Sequence, residues 1–166
     1  MRVVDLCADD ADIVQRLFAD DGGYCRRVAG RQPEASDALV VLTERPPGVP
    51  ATAKHVLGLS DGADLVALAD VIRGWPTVEH AHVGLLQTAA TRHRRGVGRA
   101  LHRAVEERVA TWPEVTTLRL AVVDRNREVA EPFWRAMGYG PTGETRPFAS
   151  GTVRSVARIW TRPVLS

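Results

Sequence analysis

The chain has 166 residues, the size of one ordinary domain. Hydrophobic residues make up 45% of it and charged residues 25%, which excludes disordered and collagen-like chains. The net charge of +2 is too small to indicate nucleic-acid binding. No apolar run reaches the ~20 residues of a membrane span.

Two cysteines, Cys7 and Cys25, lack the paired spacing of zinc sites and redox motifs. They favour a reduced, cytoplasmic setting and argue against a disulfide scaffold or structural zinc. The start of the chain turns acidic after Arg2, unlike a signal peptide. We therefore expect a cytoplasmic protein without a metal site.

Charge is distributed unevenly. Residues 1–64 carry 11 acidic and 7 basic side chains, whereas residues 65–166 carry 9 and 15. Six arginines fall within 17 residues of the second part, namely Arg92, Arg94, Arg95, Arg99, Arg103 and Arg108. This division suggests one pole for a cation and another for an anion.

The first 50 residues predict a short strand followed by helices. VVDL reads as a strand, and a helix from Ala11 to about Phe18 follows two aspartates that suit its positive end. A second short helix is expected around Tyr24–Ala29. A third, through ALVVLTE, begins at Ser36 or Asp37 and is stopped by a proline pair.

From residue 54 onward the pattern is that of an α/β domain with a mixed, mostly antiparallel central sheet flanked by helices. HVLGLS and DLVALADVIR predict a hairpin, and EHAHVGLLQT a third strand of the same sheet. GVGRALHRAVEERVATW has its apolar residues on one helical face. A strand at TTLRLAVVD and a helix at EVAEPFWRAMGY follow, the latter interrupted early by Pro132 and closed by Gly138. TVRSVARIWTR predicts a final strand.

The chemistry is expected where the third strand runs through a short loop into the long helix. Gly96 and Gly98 leave the backbone N–H groups of the helix start accessible. Arg94, Arg95 and Arg99 add charged donors, so the segment has the features of a pyrophosphate site. It lacks the Gly-Lys-Ser/Thr of a Walker A loop and the third glycine of a Rossmann fingerprint. A glycine-rich helix start with solvated arginines is the alternative.

The six residues His93-Arg94-Arg95-Gly96-Val97-Gly98 resemble the coenzyme motif Gln/Arg-x-x-Gly-x-Gly/Ala of the GNAT superfamily of acyl-CoA-dependent N-acyltransferases, with His93 at the Gln/Arg position. DRNREVAEPFWRAMGY is similar to a later segment of that family that runs from an asparagine, here Asn126, to Gly138. The resemblance covers about residues 54–140, and the order of strands and helices agrees with it.

The resemblance implies acetyl-CoA as cosubstrate. Its contacts would be backbone groups near Leu86 and Thr88, followed by Arg94, Arg95, Gly96, Val97, Gly98, Arg99 and Asn126. It also implies a single acyltransferase-like domain over 1–166. Within it, 1–50 would form variable acceptor-side helices, 54–140 the acyl-CoA-binding core and 141–166 a C-terminal strand region.

Acyl transfer to an amine needs a base, because an ammonium has no lone pair. If Leu86 faces the thioester, strand alternation puts His82 on the same face. His82 also resembles a histidine of the arylalkylamine acetyltransferases that relays a proton through water. A strand bulge would reverse this parity and favour Glu79. Asp70 is another carboxylate candidate, and a partly buried, hydrogen-bonded His82 is the structural alternative.

The backbone N–H near Leu86 would stabilise the oxyanion, as the resemblance implies. The tyrosine that often protonates the leaving thiolate corresponds to Trp134, which cannot serve as an acid. Either coenzyme A leaves as thiolate, or Tyr139 or Tyr24 supplies the proton.

We therefore expect an N-acetyltransferase that moves an acetyl group from acetyl-CoA to a small primary amine by direct attack in a ternary complex. A non-catalytic module that binds acyl-CoA, or an assembly partner, is the alternative. RNA binding is disfavoured because Glu106 and Glu107 interrupt the arginines and no stacking aromatics interleave with them. Neither nucleic acid nor membrane is an expected partner. The sequence does not give the oligomeric state, and the resemblance leaves a homodimer open because dimers are common in the family.

Overall fold

A computed structural model describes residues 1–165 of the chain. The helices and strands are, in chain order, β1 (Arg2–Leu6), α1 (Ala11–Ala19), α2 (Tyr24–Ala29), α3 (Asp37–Thr43), β2 (Lys54–Asp61), β3 (Asp64–Arg73), β4 (His80–Thr88), α4 (Val97–Val109), β5 (Thr117–Val123), α5 (Arg127–Ala136), β6 (Gly140–Ser150) and β7 (Val153–Pro163).

The strands form one seven-stranded sheet in the order β1-β2-β3-β4-β5-β7-β6. Neighbouring strands are antiparallel except β4 and β5, which are parallel. The helix α4 connects those two strands, as a parallel crossover requires. The predicted mixed, mostly antiparallel sheet flanked by helices is confirmed.

Each face of the sheet carries its own apolar core. On one face, α4 buries Val97, Leu101 and Val105, and α5 adds Trp134. On the other face, α1 and α3 pack their apolar side chains against β2 and β3. The helical spacing read from the sequence of α4 is therefore the spacing of its buried stripe.

The predicted interruption of the last helix at Pro132 is wrong. The helix α5 continues through Pro132 to Ala136. The proline removes only the hydrogen bond to the carbonyl of Glu128, in an exposed first turn where water can bind that oxygen. Packing of Trp134 against the core stabilises the rest of the helix. The helix then ends as predicted, with Gly138 in the left-handed region at φ 90°.

The strand β6 was missed in the sequence. Its segment GPTGETRPFAS contains two prolines and two glycines and shows no alternation. Such a strand is tolerated because β6 lies at the edge of the sheet and pairs only with β7. Among the helices of residues 1–165, none is long and apolar enough to cross a membrane.

Candidate active site

The strands β4 and β5 pair along only part of their length. Their parallel register joins His80–Val83 to Thr117–Leu120, and beyond this point the strands separate. A cleft of ≈ 780 Å³ lies between them and extends to the start of α4. Gly84 on β4 and Ala121 on β5 line it and are solvent-exposed, although both belong to central strands.

The outer edge of β4 offers free backbone groups to this cleft. The Ala89 N–H donates to the Val66 carbonyl oxygen at 2.9 Å, so residue 89 faces β3. Hydrogen-bonding directions alternate along an antiparallel strand, and the register runs evenly from Thr88 to Leu85. The N–H and C=O groups of Leu86 and Thr88 consequently point towards the cleft. These are the residues at which the resemblance implies backbone contacts to the coenzyme, and those contacts stay a prediction.

The start of α4 forms the mouth of the cleft. Gly96 precedes the helix with φ 78°, and Arg94 also has a positive φ of 60°. Gly98 lies against α5, and a Cβ there would stand 3.1 Å from Phe133 Cε2 and 3.6 Å from Thr88 Cγ2. Gly96 is therefore needed for its backbone conformation and Gly98 for space. The free amides of the first helical turn favour an anion here.

Most of the predicted coenzyme contacts surround this cleft. Those lining it are Leu86, Thr88, Arg94, Gly96, Val97, Gly98, Arg99 and Asn126. Arg95 is exposed and does not line it. The Val97 side chain belongs to the core, so only its backbone is available. Asn126 Oδ1 accepts a hydrogen bond from Arg27 Nε at 2.7 Å, which ties the end of β5 to α2.

Three other arginines of the basic cluster form ion pairs with carboxylates, although Arg92 also lines the cleft. Arg92 pairs with Asp61 at 2.7 Å and Arg108 with Asp5 at 2.8 Å. Arg103 lies 3.4 Å from Glu107, one turn along α4. The cluster is thus divided among separate ion pairs, and the cationic side chains left at the cleft are chiefly Arg94 and Arg99.

A β-bulge at Gly84 changes which face of the sheet the side chains of β4 point to before and after it. Leu85 pairs with Asp70 and Val83 with Val71, so Gly84 is an extra residue between them. Leu86 and Val83 both pack into the core beneath α4. The prediction that His82 shares the face of Leu86 is therefore wrong, because the bulge reverses the parity.

His82 lies on the face of the sheet opposite Leu86, in contact with one cationic neighbour, Arg119, and one aromatic neighbour, Trp75. Its Nδ1 accepts a hydrogen bond from Arg119 Nη1 at 3.0 Å, and its ring stands 4.9 Å from that of Trp75. Burial, and then the Arg119 charge, lower the pKa of His82 to about 3. Because a guanidinium only donates, the neutral ring carries its proton on Nε2. His82 does not line the cleft, and its Nε2–H is the hydrogen-bond donor of the ring.

The two carboxylate candidates occupy different places. Glu79 is exposed at the start of β4, where it accepts from Thr77 Oγ1 at 2.6 Å, and it does not line the cleft. Asp70 is buried with Lys54, whose Nζ lies 2.9 Å from Oδ1. Its Oδ2 is beside the cleft, since a Cβ on Gly84 would stand 2.9 Å from it. Burial raises the pKa of Asp70.

The two candidate tyrosines are also separated by the structure. Tyr139 is 4% exposed, and its hydroxyl lies 2.9 Å from His102 Nε2 in the core. Tyr24, on α2, lines the cleft, and burial raises its pKa to about 12. Of the two tyrosines, Tyr24 is thus the one at the cleft, together with Arg27 of the same helix. The sequence analysis offered Tyr24 only as one of two tyrosines, because the six residues of α2 carry no motif that places them at the cleft.

Acid should destabilise the fold through His82. Its pKa falls from 6.5 in the unfolded chain to about 3 in the fold, so its stabilising contribution is complete above pH 6.5 and is lost as the pH falls towards 3. We expect about 3–5 kcal/mol from this group alone. His82→Gln keeps an acceptor for Arg119 and should flatten the decline in unfolding free energy, measured by denaturant titration, between about pH 7 and about pH 4. An unchanged slope would contradict the assignment.

Solved structures match the chain over nearly its whole length. An acetyltransferase from Thermus thermophilus is 24% identical, with a TM-score of 0.72, over 98% of this chain and 96% of that one. The ribosomal-protein-S18-alanine N-acetyltransferase from Escherichia coli is 16% identical, with a TM-score of 0.69 over 99% and 94%. An N-acetyltransferase from Staphylococcus aureus Mu50 is 10% identical, with a TM-score of 0.70 over 99% and 100%. These likenesses show a shared fold.

No curated protein matches the sequence. A family model described as the acetyltransferase (GNAT) family matches residues 25–139, which is more than half of the chain and includes β4, α4, β5 and α5. The match covers the separated strands, the glycine loop and the cleft between them. The chain therefore belongs to the GNAT family of acetyltransferases.

Proposed function

We propose that this protein is a cytoplasmic, acetyl-CoA-dependent N-acetyltransferase that acts on a small primary amine by direct attack in a ternary complex. The observation that carries the proposal is the course of the cleft. It runs from the α4 N-terminus along the free backbone groups of Leu86 and Thr88, and it reaches the opposite face at Gly84 and Ala121. Donor and acceptor substrates can thus approach from opposite faces of the sheet.

The chain's groups fit the coenzyme. The α4 N-terminus, Arg94 and Arg99 suit a pyrophosphate, and the unpaired amides and carbonyls of β4 suit the amide groups of a pantetheine arm. Gly98 keeps the mouth open, because a Cβ there would crowd Phe133. When bound, acetyl-CoA supplies an acetyl group activated as a thioester.

The protein's own residues then have three tasks. Asp70 Oδ2 accepts a proton from the substrate ammonium, directly or through water, which frees the nitrogen lone pair. The Leu86 N–H, directed into the cleft, donates a hydrogen bond to the acyl oxygen as negative charge develops there. Tyr24 Oη donates a proton towards the departing sulfur. In this assignment Asp70 takes the role that the sequence gave first to His82 and then to Glu79.

Tyr24→Phe should lower kcat by about 100-fold, the lower end of the effect of a positioned general acid, and leave the Kd of acetyl-CoA unchanged. The matched control is Tyr139→Phe, which removes a hydroxyl from the core and should lower thermal stability with little effect on kcat. Steady-state kinetics and melting curves of both variants separate the two roles. A wild-type kcat in Tyr24→Phe would show that the thiolate leaves unassisted.

The function itself is tested by thiol release from acetyl-CoA across a panel of primary amines, with calorimetric titration of acetyl-CoA in parallel. Release that depends on an amine supports the enzyme. Binding without release from any amine favours the non-catalytic module, for which the presence of Trp134 in place of the usual tyrosine is the supporting observation. Absence of both would overturn the proposal.

A further inference from the structure

Arg119 is a buried guanidinium without a salt bridge. It is only 7% exposed, and among residues 1–165 no carboxylate lies within 4.0 Å of it, although the charge of Glu144 acts on it from a greater distance. The guanidinium carbon lies 5.1 Å from the centre of a Trp75 ring, and Nη1 is bonded to His82 Nδ1. Removing a charge from water without a partner is costly. Because Trp75 and His82 hold the guanidinium of Arg119 in place, it is positioned to bind a ligand.

The free donors of this cluster are still open to solvent. Among the described residues, the side-chain polar atoms that are fully buried and have no hydrogen-bond partner belong to His55, Gln87 and Trp160. The remaining N–H groups of Arg119 and the Nε2–H of His82 are not among them. Solvent therefore reaches free donors of both side chains, and an anion is the ligand that would satisfy them together.

The carboxylate of Asp70, on β3, lies on the other side of β4 from Arg119, which is on β5. The register aligns Ile72, His82 and Arg119 across β3, β4 and β5. Asp70 is two residues along from Ile72, and its Oδ2 leans over Gly84, which is two residues along from His82. The carboxylate and the guanidinium are thus placed at neighbouring positions of β4, beside Gly84 and beside His82. Gly84 has no Cβ, and this leaves room for Asp70 Oδ2 beside its α-carbon.

We infer that the acceptor is an amine that also carries a carboxylate, that is, a free amino acid or a short amino-carboxylic acid. Its ammonium binds Asp70, and its carboxylate binds Arg119 and the Nε2–H of His82. A molecule that carries both charges matches this arrangement of one acidic and one cationic group on neighbouring positions of β4. A diamine or polyamine would instead place a cation against Arg119. The inference rests on the proposed function and specifies its substrate class.

The test compares matched acceptors in the thiol-release assay: the free amino acids, their carboxamides, and simple alkylamines. Wild type should prefer an amino acid over its carboxamide by about 100-fold in kcat/KM, since the carboxamide leaves the guanidinium unpaired. Arg119→Gln should remove most of that preference through a higher KM, while the Kd of acetyl-CoA stays unchanged. Arg119→Lys should restore part of the preference because it restores the charge.

Arg125→Gln is the matched control, because Arg125 is exposed and outside the cleft. The Arg125→Gln variant should prefer amino acids over their carboxamides as strongly as wild type does. Melting curves show whether the Arg119 variants are folded. Equal rates with amino acids and their carboxamides in wild type would overturn this inference and leave the acetyltransferase intact. Thiol release that no amine stimulates would overturn both. Should Arg119→Gln not fold, the wild-type ratio alone decides.

Discussion

Replacement of Gly98 by tryptophan should abolish acetyl-CoA binding while the protein stays folded. Even a Cβ at this position would stand 3.1 Å from Phe133 Cε2 and 3.6 Å from Thr88 Cγ2, so an indole must project into the mouth of the cleft. Phe133 is half-buried and can move aside without opening the core. We expect a loss of affinity of about 100-fold or more, measured by calorimetric titration, because the indole occupies ligand space and no new contact replaces it.

The matched control is Gly140→Trp. Gly140 has no atom within 4 Å of an added Cβ and does not line the cleft. That variant should bind acetyl-CoA as wild type does. An unchanged Kd in Gly98→Trp, with a normal melting curve, would mean that the coenzyme does not pass between α4 and α5.

The second large effect concerns the proton acceptor. Asp70→Asn should lower kcat by at least about 100-fold, because the amide cannot accept the proton of the ammonium. The same change leaves the Lys54 ammonium, whose side chain is 6% exposed, buried without its partner. A loss of stability of about 3–5 kcal/mol is expected from that alone. The double variant Lys54→Gln/Asp70→Asn removes the unpaired ammonium, so it should regain stability while its kcat stays low.

Lys54→Gln by itself gives a signature that a structural role would not produce. Burial raises the pKa of Asp70, and the lysine charge and hydrogen bond oppose that rise. Without Lys54 the pKa of Asp70 must rise further. A base acts when deprotonated, so the rate increases with pH through its pKa, and this limb of the pH–rate profile should move to higher pH.

His82→Gln distinguishes the two candidate bases in the same measurement. With Asp70 as the base, the limb in His82→Gln stays where it is in wild type. A limb that disappears in His82→Gln and stays in place in Lys54→Gln would return the role to His82.

Local sequence patterns and the family resemblance were sufficient to find the elements that border the cleft, while the coenzyme contacts themselves stay a prediction. The loop before α4 follows from Gly96, Gly98 and the arginines, and the resemblance placed Leu86 and Thr88 on the strand before it. These features lie on consecutive elements of the chain. Their geometry is set by a helix start and a strand end, both of which have recognisable sequences.

The acceptor side depends on register between distant strands and could not be read in the same way. A single extra residue at Gly84 moves His82 to the other face, and nothing in HAHVGLLQT distinguishes a bulged strand from a regular one. Arg119 is on β5 and Asp70 is on β3, and both side chains lie beside residues of β4. The edge strand β6, with Pro141 and Pro147, has no alternating pattern because its neighbour and not its side chains holds it in place.

The most direct measurement is the mass of the acceptor after incubation with isotope-labelled acetyl-CoA and the protein. We expect the labelled acetyl group on the amine nitrogen of an amino acid, with one thiol released per acetyl group transferred, and neither product with Gly98→Trp. Thiol release without a labelled amine would mean hydrolysis of the thioester. Bound acetyl-CoA with no turnover in the presence of any amine would contradict an acetyltransferase and leave a coenzyme-binding module.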